Sequence, residues 1–447
     1  MNSELTGKVD LRDFQELRVT VKEDFRKEIF ENAKTKAGSW GKLSKIIGMS
    51  RSSFQEFHNG KRAIPFTILK NVCKFVDNNN FEENITGFKI GNARKFVKNK
   101  NSSLKIDFET KDGARTIGAF LGDGSRIGNS FRYTNKETCL IDLVNKSVQD
   151  LIGEVGITKY SKRPSKSLVH CVIFPLTVSS ILDKIGIPVG NKIVTNPSVP
   201  QFLLNSDKRE VIATLIQQFA DDEATSRHQI EFYQSSDVTN LPEELRTKIL
   251  SGKYKEVKDY EKYAPNVLKD VKFLLWKHWR IRCGGPYPRK NYRIYRDKKG
   301  NMKYVPKWKL TISGKEDLER FEREIGFEIK EKQIVLKDRI KEIKNYQAKK
   351  STTLLKLLMT TKRLEECNLP ITSVNLTKFL DISCRTVDDY LLRLLRNGYL
   401  NRPLKRKHLG IGKGTKPFNY TLTDLSSELI RKYKNNPSIH FTLPKSS

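Results

Sequence analysis

The sequence predicts an α+β chain in which a mixed central region built from two related halves is flanked on each side by a helical unit. Three observations predict it. Residues 39–76 and 350–434 show helical apolar spacing broken by short Ser- and Gly-marked turns. Residues 104–345 carry one signal twice. And 84 Lys plus Arg stand against 51 Asp plus Glu, a net +33. A small soluble domain usually carries a net charge of roughly 2–8 in magnitude, so the excess implies a polyanionic partner, with nucleic acid first.

The length, 447 residues, suits about three domains of roughly 150 residues. The 37% hydrophobic content is enough to build cores. No run approaches the ~18 apolar residues of a membrane span, and MNSELTGKVD lacks a basic-then-apolar leader. Cys73, Cys139, Cys171, Cys283, Cys367 and Cys384 are scattered with no CxxC pair. Neither a zinc site nor a disulfide framework is expected, and a cytoplasmic, nucleoid-associated protein with reduced thiols is.

Taken in order, residues 1–35 read as one charged amphipathic helix. Ser39 then caps a helix over 40–47, Gly48-Met49-Ser50 turns the chain, and Ser50 caps a second helix from Arg51, each hydroxyl accepting an orphan backbone N–H. Asn59-Gly60 stops it, and a third helix follows Ile64-Pro65. This helix-turn-helix order, within an all-α domain 1–77, offers Arg51, Ser52, Ser53, Gln55, Lys61 and Arg62 to DNA. Polar residues 78–103 read as a linker.

The central region divides into halves 104–205 and 206–345. ILDKIGIPVGNKIVTNP (181–197) and FEREIGFEIKEKQIV (321–335) align Ile185-Gly186 with Ile325-Gly326, and each places a lysine, Lys192 or Lys332, seven residues after its Ile. The repeat implies a pseudo-twofold domain or a tandem pair. Residues 346–447 form the last domain. Helices over 354–364, 374–380 and 385–397 precede a Gly398 stop, a strand at 399–400, a Gly-rich basic loop over 402–416 and a return strand over 418–422. That order is a winged helix, with Arg385 and Arg393 on the third helix and Arg402, Lys405, Arg406, Lys407, Lys413 and Lys416 on a wing that tracks phosphates.

Two segments carry chemistry. TIGAFLGDGS (116–125) has small residues at Gly118, Ala119 and Gly122 and ends in Asp123-Gly124. LIQQFADDEAT (215–225) includes Phe219 and Asp221 and ends in an acid cluster. Small residues let helices approach closely, so two such helices can bring their terminal acids together. Paired carboxylates beside a polyanion imply a divalent metal. A third cluster, 276–299, interleaves Trp276, Trp279, Tyr287, Tyr292 and Tyr295 with Arg280, Arg282, Arg289, Lys290, Arg293, Arg296, Lys298 and Lys299. The alternation over 292–296 predicts a strand with a basic face that touches phosphates and base edges. Lys159, Lys162, Arg163 and Lys166 take that part in the first half.

These segments resemble the two motif copies of the LAGLIDADG homing endonuclease family, whose eighth motif position is the metal-binding acid. That position is Asp123 in the first copy and Glu223 in the second, with Asp222 the ligand in an alternative frame. Gly186 to Lys192 with Val199-Pro200, and Leu310 to Gly314 running into Ile325-Gly326-Phe327, also resemble the family. The resemblance spans roughly 104–345. It implies a single-chain αββαββα core with two saddle-shaped antiparallel sheets over double-stranded DNA. It also implies Mg²⁺ or Mn²⁺ held by Asp123 and Glu223 with the carbonyls of Gly122 and Asp222, a lysine near each scissile phosphate (Lys192 and Lys332), a monomer, and one cut per strand. No small-molecule substrate or membrane enters this reading.

The second copy departs from the pattern. Ala224 replaces Gly at a helix end that favours left-handed backbone, a cost of roughly 1 kcal/mol, and Gln217-Gln218 replaces the small interface pair. A weakened second site is the expectation. The other readings of the same residues are a non-cleaving, sequence-specific DNA-binding regulator and an intron RNA maturase. The chain lacks the terminal residues of protein splicing, so a whole intein is not expected.

Overall fold

The computed structural model describes residues 6–99, 103–127, 130–162, 168–225, 229–297, 300–369, 371–380, 382–401 and 420–435. It forms two compact units, with the boundary between Lys337 and Asp338.

In the first unit, β1 (Lys8–Asp10) and β2 (Leu17–Val21) come before α1 (Glu23–Ala37), so the single helix expected over 1–35 is corrected. Leu17, Val19 and Val21 are buried and alternate with Arg18 and Thr20, a period-two pattern that the surrounding charge had disguised. Then α2 (Trp40–Ile47) and α3 (Arg51–His58) fold as expected. Ser39 Oγ accepts from the Lys42 N–H and Ser50 Oγ from the Ser53 N–H, both at 3.2 Å. Gly48 turns the chain at φ 77°. Phe54 and Phe57 pack on Phe30 of α1, with ring centroids 6.1 and 6.4 Å apart. β3 (Ile64–Pro65) and α4 (Phe66–Phe75) follow.

The stretch expected to be a linker contains β4 (Ile85–Ile90) and β5 (Val97–Lys98), with Ile85, Phe88, Ile90 and Val97 buried. These strands join a five-stranded sheet of order β3-β2-β4-β5-β9, where β9 is Glu154–Val155, and β1 pairs with β6 (Lys105–Asp107). The N-terminal region is therefore not all-α. Its strand faces are completed by residues distant in sequence, which local patterning cannot register.

Beyond residue 104 two similar arrangements follow. The first is α5 (Lys111–Leu121), β7 (Gly124–Ile127), β8 (Ser130–Asn135), α6 (Thr138–Ile152), β10 (Thr158–Lys162), β11 (Val169–Phe174) and α7 (Leu176–Lys184). Two short helices, α8 (Lys192–Thr195) and α9 (Gln201–Asn205), link it to the second. The second is α10 (Arg209–Glu223), β12 (Ala224–Thr225), β13 (Ile230–Ser235), α11 (Glu243–Leu250), α12 (Asn266–Trp279), β14 (Gly284–Arg296), β15 (Met302–Ile312) and α13 (Lys315–Glu324). The antiparallel sheets run β7-β8-β11-β10 and β12-β13-β15-β14. Each thus places its first, second, fourth and third strand in the same order. Stacked Phe131–Phe174 and Phe219–Phe232 rings, 5.4 and 5.9 Å apart, fill the two cores.

The unit boundary falls inside α14 (Lys330–Glu366), so the helix expected over 354–364 is the end of a much longer one. The second unit continues with α15 (Ser373–Leu380), α16 (Cys384–Arg396), the antiparallel pair β16 (Leu400–Asn401) and β17 (Thr421–Leu422), and α17 (Asp424–Asn435). Its core includes Leu357, Leu358, Leu376, Val387, Leu391, Leu394 and Ile430. Gly398, at φ 73°, ends α16 as expected. Among the described residues no helix is long and apolar enough to cross a membrane.

Candidate active site at the ends of two packed helices

α5 and α10 lie side by side because the first has no side chains where the second comes closest. A Cβ on Gly118 would sit 2.8 Å from the Leu215 carbonyl and 3.0 Å from Cβ of Gln218, and one on Gly122 would sit 2.3 Å from Oδ2 of Asp222. The glutamine that seemed to spoil the interface therefore fits into space left by glycine. Gln217 turns away and donates to the Ile325 carbonyl at 3.1 Å. The concern over Ala224 is also overturned. Its φ of −104° is extended backbone, so the methyl group carries no left-handed strain.

The acids at the helix ends take different roles. Asp123 opens to solvent and accepts from Asn135 Nδ2 at 3.0 Å. Protein crowding on its other sides lifts its pKa, opposed by Lys192, Lys332 and Lys136. Glu223 accepts from Gln234 Nε2 at 2.7 Å, and burial lifts it to about 7 against the pull of Lys192. Asp222 is turned into the helix interface. It accepts from Tyr133 Oη at 2.6 Å, Asn135 Nδ2 at 3.0 Å, Gln218 Nε2 at 3.3 Å and the Asp123 N–H at 3.3 Å. Burial, then the charge of Asp123, raises it well above the usual carboxylate range. Asp221 accepts the N–H groups of Glu328 and Ile329 at 2.9 and 3.1 Å and so ties the helix end to the chain entering α14.

The repeat-matched lysines occupy matching places. Gly186 and Gly326, at φ 84° and 65°, end α7 and α13 in left-handed turns, which accounts for the Ile-Gly signal. Each chain then returns to a motif helix. Lys192 Nζ donates to the carbonyls of Phe120 (3.2 Å), Leu121 (3.3 Å) and Gly122. Lys332 Nζ donates to those of Ala220 (3.2 Å) and Asp221. An ammonium at a helix C-terminus satisfies orphan carbonyls and opposes the negative end of the dipole. Burial lowers both lysine pKa values, and the nearby carboxylates resist that shift.

A cleft of about 920 Å³ opens beside Lys192, and Lys332 is not among the residues that line it. Asp123, Lys192, Glu223, Gln234, Tyr233, Arg293 and Lys307 line it, and Asp222 does not. Lys307 Nζ lies 4.2 Å from the Tyr233 ring centre, and the Arg289 guanidinium stacks on the ring at 5.5 Å. Lys290 and Arg296 are exposed on β14. Arg280 instead stacks on Trp276 at 5.2 Å, and the Arg282 N–H donates to Asp317, both where α12 passes into β14. Lys159 faces the helix side of its sheet in an ion pair with Asp142 at 2.8 Å, and Lys162 ends β10. Arg51, Ser52, Gln55, Lys61 and Arg62 are exposed, and Ser53 is engaged in the Ser50 cap. Arg385 and Arg393 are exposed on α16. Arg163, Lys166, Lys298, Lys299, Arg402, Lys405, Arg406, Lys407, Lys413 and Lys416 lie outside the described residues.

Tyr133, Asn135 and Gln234 were not foreseen. Their signal was faint: Asn135 follows Asp123 by 12 residues and ends an alternating strand, and Gln234 follows Glu223 by 11 and is the last residue but one of its strand. The donor set suits a hard divalent cation, because the carboxylates of Asp123 and Glu223 and the Gly122 carbonyl bring only oxygen donors to the cleft. Among the described residues no group of three or more His, Cys, Asp or Glu side chains converges as a cage. Water and substrate oxygens would complete the coordination shell.

No family model matches the chain, and no curated protein does. Among the solved structures similar to it are two of I-DmoI. One is a crystal structure of I-DmoI in complex with DNA and Mn, 14% identical over 49% of this chain and 97% of that one, at a TM-score of 0.26. The other describes mesophilic variants of the homing endonuclease I-DmoI, 13% identical over 52% of this chain and 100% of that one, at a TM-score of 0.28.

Proposed function

We propose that the chain is a site-specific, divalent-metal-dependent double-strand DNA endonuclease of the LAGLIDADG homing type, a monomer with a pseudo-twofold core and one acid per half. The observation that carries this reading is the convergence of Asp123 and Glu223 on one cleft, each at the end of a motif helix whose carbonyls hold a half-buried lysine. Asp222, turned away from the cleft, is the weaker candidate ligand.

Asp123 and Glu223 would hold Mg²⁺ or Mn²⁺, which supplies Lewis-acid charge for phosphodiester hydrolysis when bound. Asn135 and Gln234 orient the two carboxylates through their amides. Lys192 and Lys332 place positive charge beside the scissile phosphates, where charge develops during hydrolysis. Arg289 and Lys307, set around Tyr233, and Arg293 on the wall of the cleft present the second sheet to the DNA backbone. The α2–α3 unit and the C-terminal unit, read as a helix-turn-helix and a winged helix, extend the contact through Arg51, Gln55, Arg385 and Arg393.

Incubation with Mg²⁺ and a library of supercoiled plasmids carrying candidate target sequences tests the reading. Discrete linear products are expected, and Asp123→Ala and Glu223→Ala should abolish them. Specific binding with intact DNA in both Mg²⁺ and Mn²⁺ would replace it with a regulator on the same scaffold. Preference for structured intron RNA would favour a maturase.

A further inference from the structure

We propose that Asp222 is a positioning residue for Asp123, so that the second motif copy sets the geometry of the first copy's acid. The inference rests on the cleavage reading for its kinetic consequence and on geometry for the rest.

Two contacts hold Asp123, and Asp222 stands behind both. The Asp123 N–H donates to Asp222 Oδ2 at 3.3 Å. The Asn135 amide donates to Asp123 Oδ2 and to Asp222 Oδ1, each at 3.0 Å. One NH₂ group therefore bridges the two carboxylates. Asp222 is itself fixed from behind by Tyr133 Oη at 2.6 Å, while Gln218 Nε2 donates to Tyr133 Oη at 3.0 Å.

The cluster fits only because the first copy carries glycine. A Cβ on Gly122 would meet the Asp222 carboxylate at 2.3 Å, and one on Gly118 would meet Gln218. Gly118 and Gly122 on one helix, with Gln218 and Asp222 on the other, form one fitted set. The second half has no equivalent. Strand register places Tyr133 opposite Gly124 and Phe232 opposite Ala224, and phenylalanine has no hydroxyl. The place of Asp222 is taken by Gly122. Gln218, a departure from the motif in the second copy, thus becomes part of a one-sided device that holds Asp123. Partners that orient a ligand in this way typically change metal affinity or activity 10–100-fold when removed, on the order seen for outer-shell groups generally.

The test has two readouts on the full chain. The first is titration with Mn²⁺ alone, followed by electron paramagnetic resonance of the free ion. Asp222→Asn leaves one acceptor oxygen and one NH₂ where two oxygens now serve Tyr133, Asn135, Gln218 and the Asp123 N–H, so it should weaken Mn²⁺ binding at one site by roughly tenfold or more. Tyr133→Phe should weaken it less. Circular dichroism and thermal melts establish that both variants fold, and if Asp222→Asn does not, Tyr133→Phe carries the test. The second readout is strand-resolved cleavage of a target recovered from the plasmid selection. Asp222→Asn should spare the same strand that Asp123→Asn spares, with the other strand cut normally and DNA affinity unchanged. A general structural lesion would slow both strands together. Wild-type Mn²⁺ affinity in both folded variants, equal slowing of both strands, or a wild-type chain that binds no Mn²⁺ overturns the proposal. A wild-type chain that binds Mn²⁺ but cuts no DNA overturns the cleavage reading alone, and the titration still decides the role of Asp222.

Discussion

Asp270, on α12, shows how one half-buried carboxyl ties the fold to pH. Its Oδ2 accepts the Val199 N–H at 2.8 Å, yet burial outweighs that bond and lifts its pKa to about 6. A carboxyl held above its unfolded value near 3.9 binds more protons folded than unfolded between the two pKa values. Ionising it therefore weakens the fold as pH rises from about 4 to 6, and the loss is complete above that. Asp270→Asn keeps an acceptor oxygen for Val199 and removes the titration. Urea unfolding at pH 4, 5.5 and 7 should show that the variant loses less stability across this range than the wild type, by about 1–2 kcal/mol. The pKa near 6 at Asp221 has the same sign and remains in both proteins. At this scale the sequence was legible where the candidate site follows local order. Asp123, Glu223, Lys192 and Lys332 were identified from motif position and repeat spacing, and the structure sets them around one pair of helix ends. Tyr133 and Asn135 were not, because their importance arises only when β8 is brought against the helix interface.

Between elements, the α5–α10 contact holds the two halves of the site together. Gly118→Ala would place a methyl group 2.8 Å from the Leu215 carbonyl, a backbone atom that cannot rotate away. The helices must separate, at a cost of about 1–3 kcal/mol typical of overpacking, and denaturant melts should show it. Because the acids sit at the ends of these helices, the same variant should also bind Mn²⁺ more weakly. The small-residue pattern made close helix approach legible in the sequence. It did not reveal that a glutamine on one helix answers a glycine on the other, since complementarity belongs to a pair and each partner alone reads as a departure. The strands of the N-terminal sheet were missed for a related reason. Residues 78–103 are polar along their length, and their few buried residues, such as Ile85 and Phe88, gain meaning only from β2 beside them.

At the scale of the chain, sheet pairing decides which segments can be removed. A chain beginning at residue 104 would lose β2, β3, β4 and β5 and leave β9 as an unpaired edge, while β6 would lose β1. Buried Val97 and Phe88 lie in the deleted part, so the face they cover becomes wet, and a bare apolar edge invites aggregation. Such a chain should be insoluble or melt far below the intact protein. Removing residues after 345 is a different operation. The turn at Glu328–Ile329 that receives Asp221, and Lys332 against the Ala220 carbonyl, stay in place, and the second unit has its own core. The truncated chain should keep a cooperative melt and its Mn²⁺ affinity. What it loses is cationic surface, including Arg385 and Arg393. Each phosphate contact contributes about 0.9 to the slope of log affinity against log salt. The slope for DNA binding should therefore become shallower by about 0.9 per contact removed, with metal binding unchanged. An unaltered slope would mean that the C-terminal unit does not touch DNA, and that the charge excess acts through the cleft and the N-terminal helices alone.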